Sequence, residues 1–385
     1  MSENNEIKEP LNKNYKVPKL RFPEFNENWD EIKLKEIATR ITRKNKENKQ
    51  MLPLTISAQD GLISQYDYFD KKIASINLTT YYILKNGEFA YNKSYSNGYP
   101  YGAIKRLDSF EEGALSSLYI CFCVSNIDSN YLCYYFDSNK WNYEVKIISG
   151  EGARNHGLLN LTPSDFFNIR IFKPHTLEEQ CKISNFLELI YAKEKIINRK
   201  INILKKYKKG MQKNIFDSSK TKEYLILKNI VKFENKSKIP ANSSIENGNY
   251  ILYKSGQKNG MINNYSHEGV YIIANDGGIA QFKLTSGKFA YTDHCICFRC
   301  QSDEETIVLC NYLQSLEKKI TYVGFTGTGL KNIDRQYLGM IRIPKVDNKK
   351  IAKSFNLIDE AIRNYGNILE KITIIKKLLL KQMFI

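Results

Sequence analysis

The stretch Gly157-Leu-Leu-Asn-Leu-Thr-Pro-Ser-Asp-Phe-Phe-Asn-Ile-Arg-Ile171 returns 172 residues later as Gly329-Leu-Lys-Asn-Ile-Asp-Arg-Gln-Tyr-Leu-Gly-Met-Ile-Arg-Ile343. Each copy has the same mechanical reading. Thr162 offers a hydroxyl N-cap, Pro163 a first helical residue and Asp165 a first-turn carboxylate. Asp334 stands at the same cap in the second copy. An alternating Ile-Arg-Ile strand follows each short helix, and Pro174 or Pro344 ends it.

Working outward, the repeat continues in both directions. Upstream, Leu34-Lys-Glu-Ile37 echoes Leu227-Lys-Asn-Ile230, and Thr55 to Ile63 parallels Tyr253 to Ile262 with one inserted residue. Gly87 to Asn92 parallels Val270 to Asn275, and Gly113 to Phe122 parallels Gly287 to Phe298 more loosely. Downstream, Ile183, Leu187, Ile190, Glu194, Ile197, Ile201, Leu204, Lys208, Met211 and Ile215 are spaced alternately by four and three. Ile351, Phe355, Ile358, Ile362, Tyr365, Leu369, Ile372, Lys376, Leu379 and Met383 repeat that spacing 168 residues on. Two heptad seams in matching register predict that two helices, each about 40 residues or ~60 Å long, pair as a coiled coil. Two similar halves meeting about a twofold axis make the pair antiparallel. The lysine common to both seams, Lys208 or Lys376, is a candidate for fixing their register.

The expected class is α+β: two mixed α/β domains in tandem, each followed by a long helix. The boundaries read as an N-terminal segment 1–28, a first domain 29–176, a helix 177–218, a second domain 219–345 and a helix 346–385. No run approaches the ~18–20 apolar residues of a membrane span. Eight cysteines without an export signal read as reduced thiols, and a cytoplasmic location is expected.

The charge is +17. Residues 29–176 carry 18 basic against 16 acidic side chains, whereas 177–216 carry ten against four and 346–385 eight against four. More than half of the excess therefore lies on the helices. It fits either a phosphate track or ordinary solvated faces.

No adenine-methylation motif or phosphate-binding loop is present, and Gly327-Thr-Gly329 lacks the third glycine of a dinucleotide fingerprint. His294-Cys-Ile-Cys-Phe-Arg-Cys300 with Cys310 could suggest zinc. Cysteines two apart in an apolar run are read instead as one buried face of a strand, so no metal site is expected.

Tandem domains separated and followed by such helices resemble the specificity subunit of type I restriction–modification systems. Val17-Pro-Lys-Leu-Arg-Phe-Pro-Glu-Phe25 with Trp29 looks like the start of such subunits. Gly329-Leu330-x-Asn332-Ile333 resembles their junction motif, and Pro174-His-Thr-Leu-Glu-Glu-Gln180 their helix entry. The second copy, Pro344-Lys-Val-Asp-Asn-Lys-Lys350, has lost the Leu-Glu-Glu-Gln part.

The resemblance implies a subunit without chemistry of its own, each domain reading one half of a bipartite double-stranded DNA target. The helices would set the spacer and dock methyltransferase subunits, two in number, which restriction/translocase subunits join. S-adenosylmethionine, ATP and Mg²⁺ would bind those partners and no cofactor this chain. A coiled-coil scaffold without sequence-specific DNA contact is the alternative.

If the halves read different sequences, bases should be read where the copies differ. The candidates in the first domain are Lys93, Ser94, Tyr95, Asn97, Tyr99, Tyr101, Lys105, Arg106, Arg154 and Asn155. In the second they are Lys254, Lys258, Asn259, Lys283 and Lys331, with Asn275 ambiguous. Gln59 and Gln257 are common to both copies and are better suited to loop scaffolding or backbone contacts. The seam residues Ile183, Leu187, Ile190, Ile197, Ile201, Leu204, Ile351, Phe355, Ile358, Ile362, Leu369 and Ile372 are candidates for helix pairing and partner docking.

Overall fold

The computed structural model describes residues 17–57, 61–66, 77–96, 98–149, 157, 159–217, 223–256, 258–327 and 331–385. Two compact units divide it: Met1–Lys195 with Glu370–Ile385, and Ile196–Leu369.

In the first unit, β1 (Asp30–Lys33) pairs antiparallel with β10 (Arg170–Lys173), so the ends of the globular part close on each other. Between them lie two four-stranded sheets. One has the order β2 (Ala38–Ile41), β9 (Ile120–Val124), β6 (Phe89–Asn92), β7 (Ala103–Arg106). The other has β4 (Gly61–Ser64), β3 (Pro53–Ser57), β8 (Glu112–Leu115), β5 (Tyr82–Lys85), with β3 and β8 parallel.

Strand periodicity explains the layering. Phe89, Tyr91 and Phe122 face an aromatic core with helix α1 (Ser129–Asp137) and Trp141, while Ala90 and Cys121 face Leu54, Leu84 and Leu115. Tyr91 stacks on Phe166 at 4.7 Å and Phe89 on Phe122 at 5.2 Å. Such pairs contribute roughly 0.5–1.5 kcal/mol each beyond area burial. Helices α2 (Asn142–Ser149) and α3 (Pro163–Phe167) complete the domain, and α4 (Leu177–Ile215) is the first long helix.

The second unit repeats this order. Strand β11 (Tyr224–Ile226) leads to the one-turn helix α5 (Leu227–Ile230) and β12 (Val231–Phe233). The following strands are β13 (Tyr250–Tyr253), β14 (Gly260–Ile262), β15 (His267–Glu268), β16 (Tyr271–Asn275), β17 (Phe282–Thr285), β18 (Lys288–Tyr291) and β19 (Cys295–Cys300). Helices α6 (Asp303–Ser315) and α7 (Glu317–Val323), then β20 (Phe325–Thr326) and β21 (Asn332–Ile333), precede α8 (Arg335–Gly339) and β22 (Arg342–Pro344). Sheets β12-β19-β16-β17 and β14-β13-β18-β15 correspond strand for strand to those of the first unit, and β11 pairs with β22 as β1 does with β10. Even single bonds recur: Leu34 N donates to Ile169 O and Leu227 N to Ile341 O, both at 3.0 Å.

The caps form as the composition dictates. Thr162 Oγ1 accepts from Asp165 N at 3.1 Å while Asp165 Oδ2 accepts from Thr162 N, and Asp334 Oδ1 accepts from Gln336 N and Tyr337 N. Two details differ from the repeat as read. Pro344 is the last residue of β22 rather than the one after it. Thr55 pairs with Ile63, but Tyr250, not Tyr253, pairs with Ile262. The second hairpin ladder stops at Leu252–Gly260, leaving a longer connection than the first, whose ladder reaches Ser57–Gly61.

Long helix α9 (Asn348–Met383) supplies the partner for α4 in each unit. In the first, Glu194 pairs with Lys376, and Leu187 shares a core with Leu380 and Met383. In the second, Lys208 Nζ pairs with Asp359 at 2.7 Å, Lys200 lies over the Tyr365 ring, and Phe216 stacks on Phe355. Ascending numbers on one helix meet descending numbers on the other, so the pairing is antiparallel. Every seam position is buried or half-buried.

Candidate nucleic-acid interface

In the second unit three connections gather at the ends of β13, β16 and β21. Lys283 Nζ, on β17, donates to Lys254 O (3.0 Å), Gly256 O (2.7 Å) and Asn259 Oδ1 (3.0 Å), which ties down the β13–β14 loop. Ser255 Oγ donates to Gly277 O at 3.4 Å, joining that loop to the β16–β17 connection. That connection meets the junction through Gly278 N to Lys331 O and Ile333 N to Asp276 O.

Six candidates therefore share one neighbourhood: Lys254, Lys258, Asn259, Asn275, Lys283 and Lys331. Lys258, Asn259 and Lys331 are exposed. Asn275 is only 2% exposed; its Nδ2 donates to Gln281, and its Oδ1 has no partner among the described residues. Burial pushes the Lys283 ammonium below its ordinary value. Arg335, 61% exposed beside Asp276, also borders this surface; its lone position at the start of a one-turn helix gave no signal in sequence.

In the first unit the β6–β7 hairpin meets its junction in a similar way. Tyr95 N donates to Gly157 O, Leu159 N to Lys93 O, and Lys93 Nζ to Leu161 O. Ser94 N donates to Asn92 Oδ1, and Ser96 and Tyr99 exchange backbone bonds across the turn. Tyr95 stands out at 59% exposed, Tyr99 packs against the inter-sheet core, and Tyr101 O accepts from Tyr91.

Lys105 and Arg106 are engaged elsewhere. Lys105 pairs with Asp137 at 2.7 Å, and Arg106 bonds Asp108, Ser129 and Asn130, fastening β7 to α1. Asn97, Arg154, Asn155, Gln59 and Gln257 lie outside the described residues.

The cysteines separate by strand face. Cys295 and Cys297 join Tyr253 and Phe289 in one cluster, while Cys300 and Cys310 lie in another with Phe298. Burial raises all four thiols, Cys300 to about 12, so they are protonated at neutral pH. His294 is 68% exposed. Among the described residues no group of three or more His, Cys, Asp or Glu could hold a metal, and no helix is long and apolar enough to cross a membrane.

Comparison with known proteins bears on this geometry. Residues 219–373 match the family model described as "Type I restriction modification DNA specificity domain". The matched stretch takes in the globular part of the second unit and most of α9, and the first unit's sheets repeat the second's strand for strand.

Among solved structures, the type I restriction-modification S subunit from M. genitalium overlays with a TM-score of 0.68 at 16% identity. That overlay covers 96% of this chain and 99% of the other, a likeness of fold along the whole length. A structure of a type I R-M system described for its complex assembly gives 0.48 at 12% identity, covering 94% and 98%. The HsdS subunit from Thermoanaerobacter tengcongensis gives 0.37 at 12%, with the same coverage. No curated protein matches the chain.

Proposed function

We propose that this chain is the DNA-specificity subunit of a type I restriction–modification complex, each unit reading one half of a bipartite double-stranded target. The observation that carries the reading is the duplicated fold. Each half has the same sheet order and a hairpin bonded to its junction, and each includes part of an antiparallel helix pair. Such a pair acts as a ruler, and each half presents a different set of loops.

The subunit performs no chemistry itself in this reading. S-adenosylmethionine, ATP and Mg²⁺ belong to its methyltransferase and restriction/translocase partners, and the complex works on DNA in the cytoplasm. The seam residues face their partner helix, so docking falls to what remains outside. On α4, Ile196, Ile203 and Tyr207 are 54%, 54% and 62% exposed at intervals of seven and four, an apolar stripe of the kind that accepts another helix.

Mapping adenine methylation with the gene present and deleted tests the proposal. The expected result is one bipartite motif, its halves about one helical turn apart, that disappears on deletion. Exchanging residues 219–345 should rewrite one half only. A methylation pattern indifferent to deletion would leave the scaffold reading in its place.

A further inference from the structure

A primary ammonium has three N–H donors, and Lys283 gives all three to neutral oxygens of one loop, 253–259. Its counterpart is fixed by register: Lys283 pairs across the ladder with Ile273 of β16, as Lys105 does with Ala90 of β6. The two lysines nevertheless do different things. Lys105 is neutralised by Asp137, four residues after Cys133 on α1. Four residues after Cys310 on α6 the chain has Gln314, which donates to Phe282 O and faces Lys208. With an amide in place of that carboxylate, the second lysine turns to the loop. The loop is also the longer of the two hairpin connections, and Ser255 ties it to the β16–β17 turn.

We propose that Lys283 is a positioning residue that holds loop 253–259 in the shape with which the second unit reads its half of the DNA target. The proposal rests on the specificity reading above and adds to it. The two halves read with non-equivalent loops, the β13–β14 loop in the second and the β6–β7 hairpin in the first. Lys283 touches no base itself, because its donors are already taken. Of the exposed side chains it displays, Asn259 meets the bases and Lys258 the phosphate backbone.

The test uses the full chain assembled with its methyltransferase partner, with methylated sites mapped for wild type, Lys283→Met, Asn259→Ala and Lys258→Ala. Lys283→Met should relax only the half of the motif that exchange of residues 219–345 rewrites, discrimination there falling about tenfold, the scale of one good base contact. Its melting curve shows whether the fold survives. Asn259→Ala removes one exposed acceptor without emptying the core, so it should relax the same half by a few-fold even if Lys283→Met fails to fold. Lys258→Ala removes a phosphate contact, so it should lower affinity for all sequences and reduce the salt slope by about one while leaving the motif intact. A motif unaltered by both Lys283→Met and Asn259→Ala, or both half-sites relaxing together, overturns the inference alone. A wild-type complex with no motif removes the functional reading as well.

Discussion

The two halves share their strand order but differ at the entry to the long helix. In the first, Glu179 is 2% exposed and accepts from Arg21 Nε (2.7 Å), Arg21 Nη2 (2.8 Å) and Trp29 Nε1 (3.1 Å). Gln180, 1% exposed, accepts from Asp128 N and donates to Pro174 O. These two side chains bind the N-terminal segment and the cap of α1 to the start of α4. In the second half the helix begins Asn348-Lys349-Lys350, with both lysines exposed. Among the described residues that half has no counterpart of residues 17–29: β11 follows closely on the end of α4, whose Phe216 packs on Tyr312 and Phe355. A motif whose partners are missing has nothing left to hold, which explains its loss at Asp347–Lys350.

The largest test of this difference is Glu179→Ala. It leaves a half-buried guanidinium and a buried indole N–H without their acceptor, which should destabilise the first half by about 3 kcal/mol. Denaturant unfolding followed by hydrogen exchange should show protection lost in residues 17–176 and retained in 223–344. Equal loss in both would mean that the clamp holds more than its own half.

A smaller contrast lies in the seam lysines. Lys208 has two bonds to Asp359, whereas Lys376 pairs with Glu194 and lies 4.6 Å from the Tyr191 ring. Tyr191 occupies the place that Asp359 holds in the other seam, and its hydroxyl donates to Asp137 at 3.0 Å. The first pairing therefore connects through Tyr191, Asp137 and Lys105 to β7. Lys208→Met should cost roughly 1–2 kcal/mol in thermal or denaturant melts, the pair being partly screened. Adding Asp359→Leu should recover most of it. Lys376→Met should cost a similar amount and in addition loosen Tyr191, visible as a shifted tyrosine resonance. Identical behaviour at both lysines would erase the distinction.

The contrast also shows what the sequence could reveal. Duplication, caps and seams were legible because each follows from neighbours within a few residues: Thr162 with Asp165, or apolar side chains at alternating fours and threes. The partners of Glu179 are 150 and 158 residues away, and those of Arg106 on α1 are 23 and 24. Topology chooses such partners, and local pattern does not record them. Hence Lys105 and Arg106, candidates for DNA contact by sequence, are instead fasteners of β7 to α1. The shifted β13–β14 ladder was hidden for a similar reason: an insertion count does not say which residues remain paired.

The smallest test returns to the two joints. Thr162→Ala removes the hydroxyl of a reciprocal capping box, and Asp334→Ala removes a single oxygen that accepts two N–H groups. Each should cost about 1 kcal/mol, because a one-turn helix has little else to satisfy its first donors. The first joint has a further signature in acid. The side-chain bond and then the backbone bond from Thr162 hold the Asp165 carboxyl below its ordinary value of 3.8. A carboxyl depressed in the folded state contributes stability that is complete above 3.8 and is lost as pH falls through the folded value. Thr162→Ala should therefore return the Asp165 titration, followed by carboxyl NMR, toward 3.8 and flatten that part of the acid profile. A titration that stays depressed in the variant would show that the first-turn N–H groups, not the hydroxyl, hold the charge.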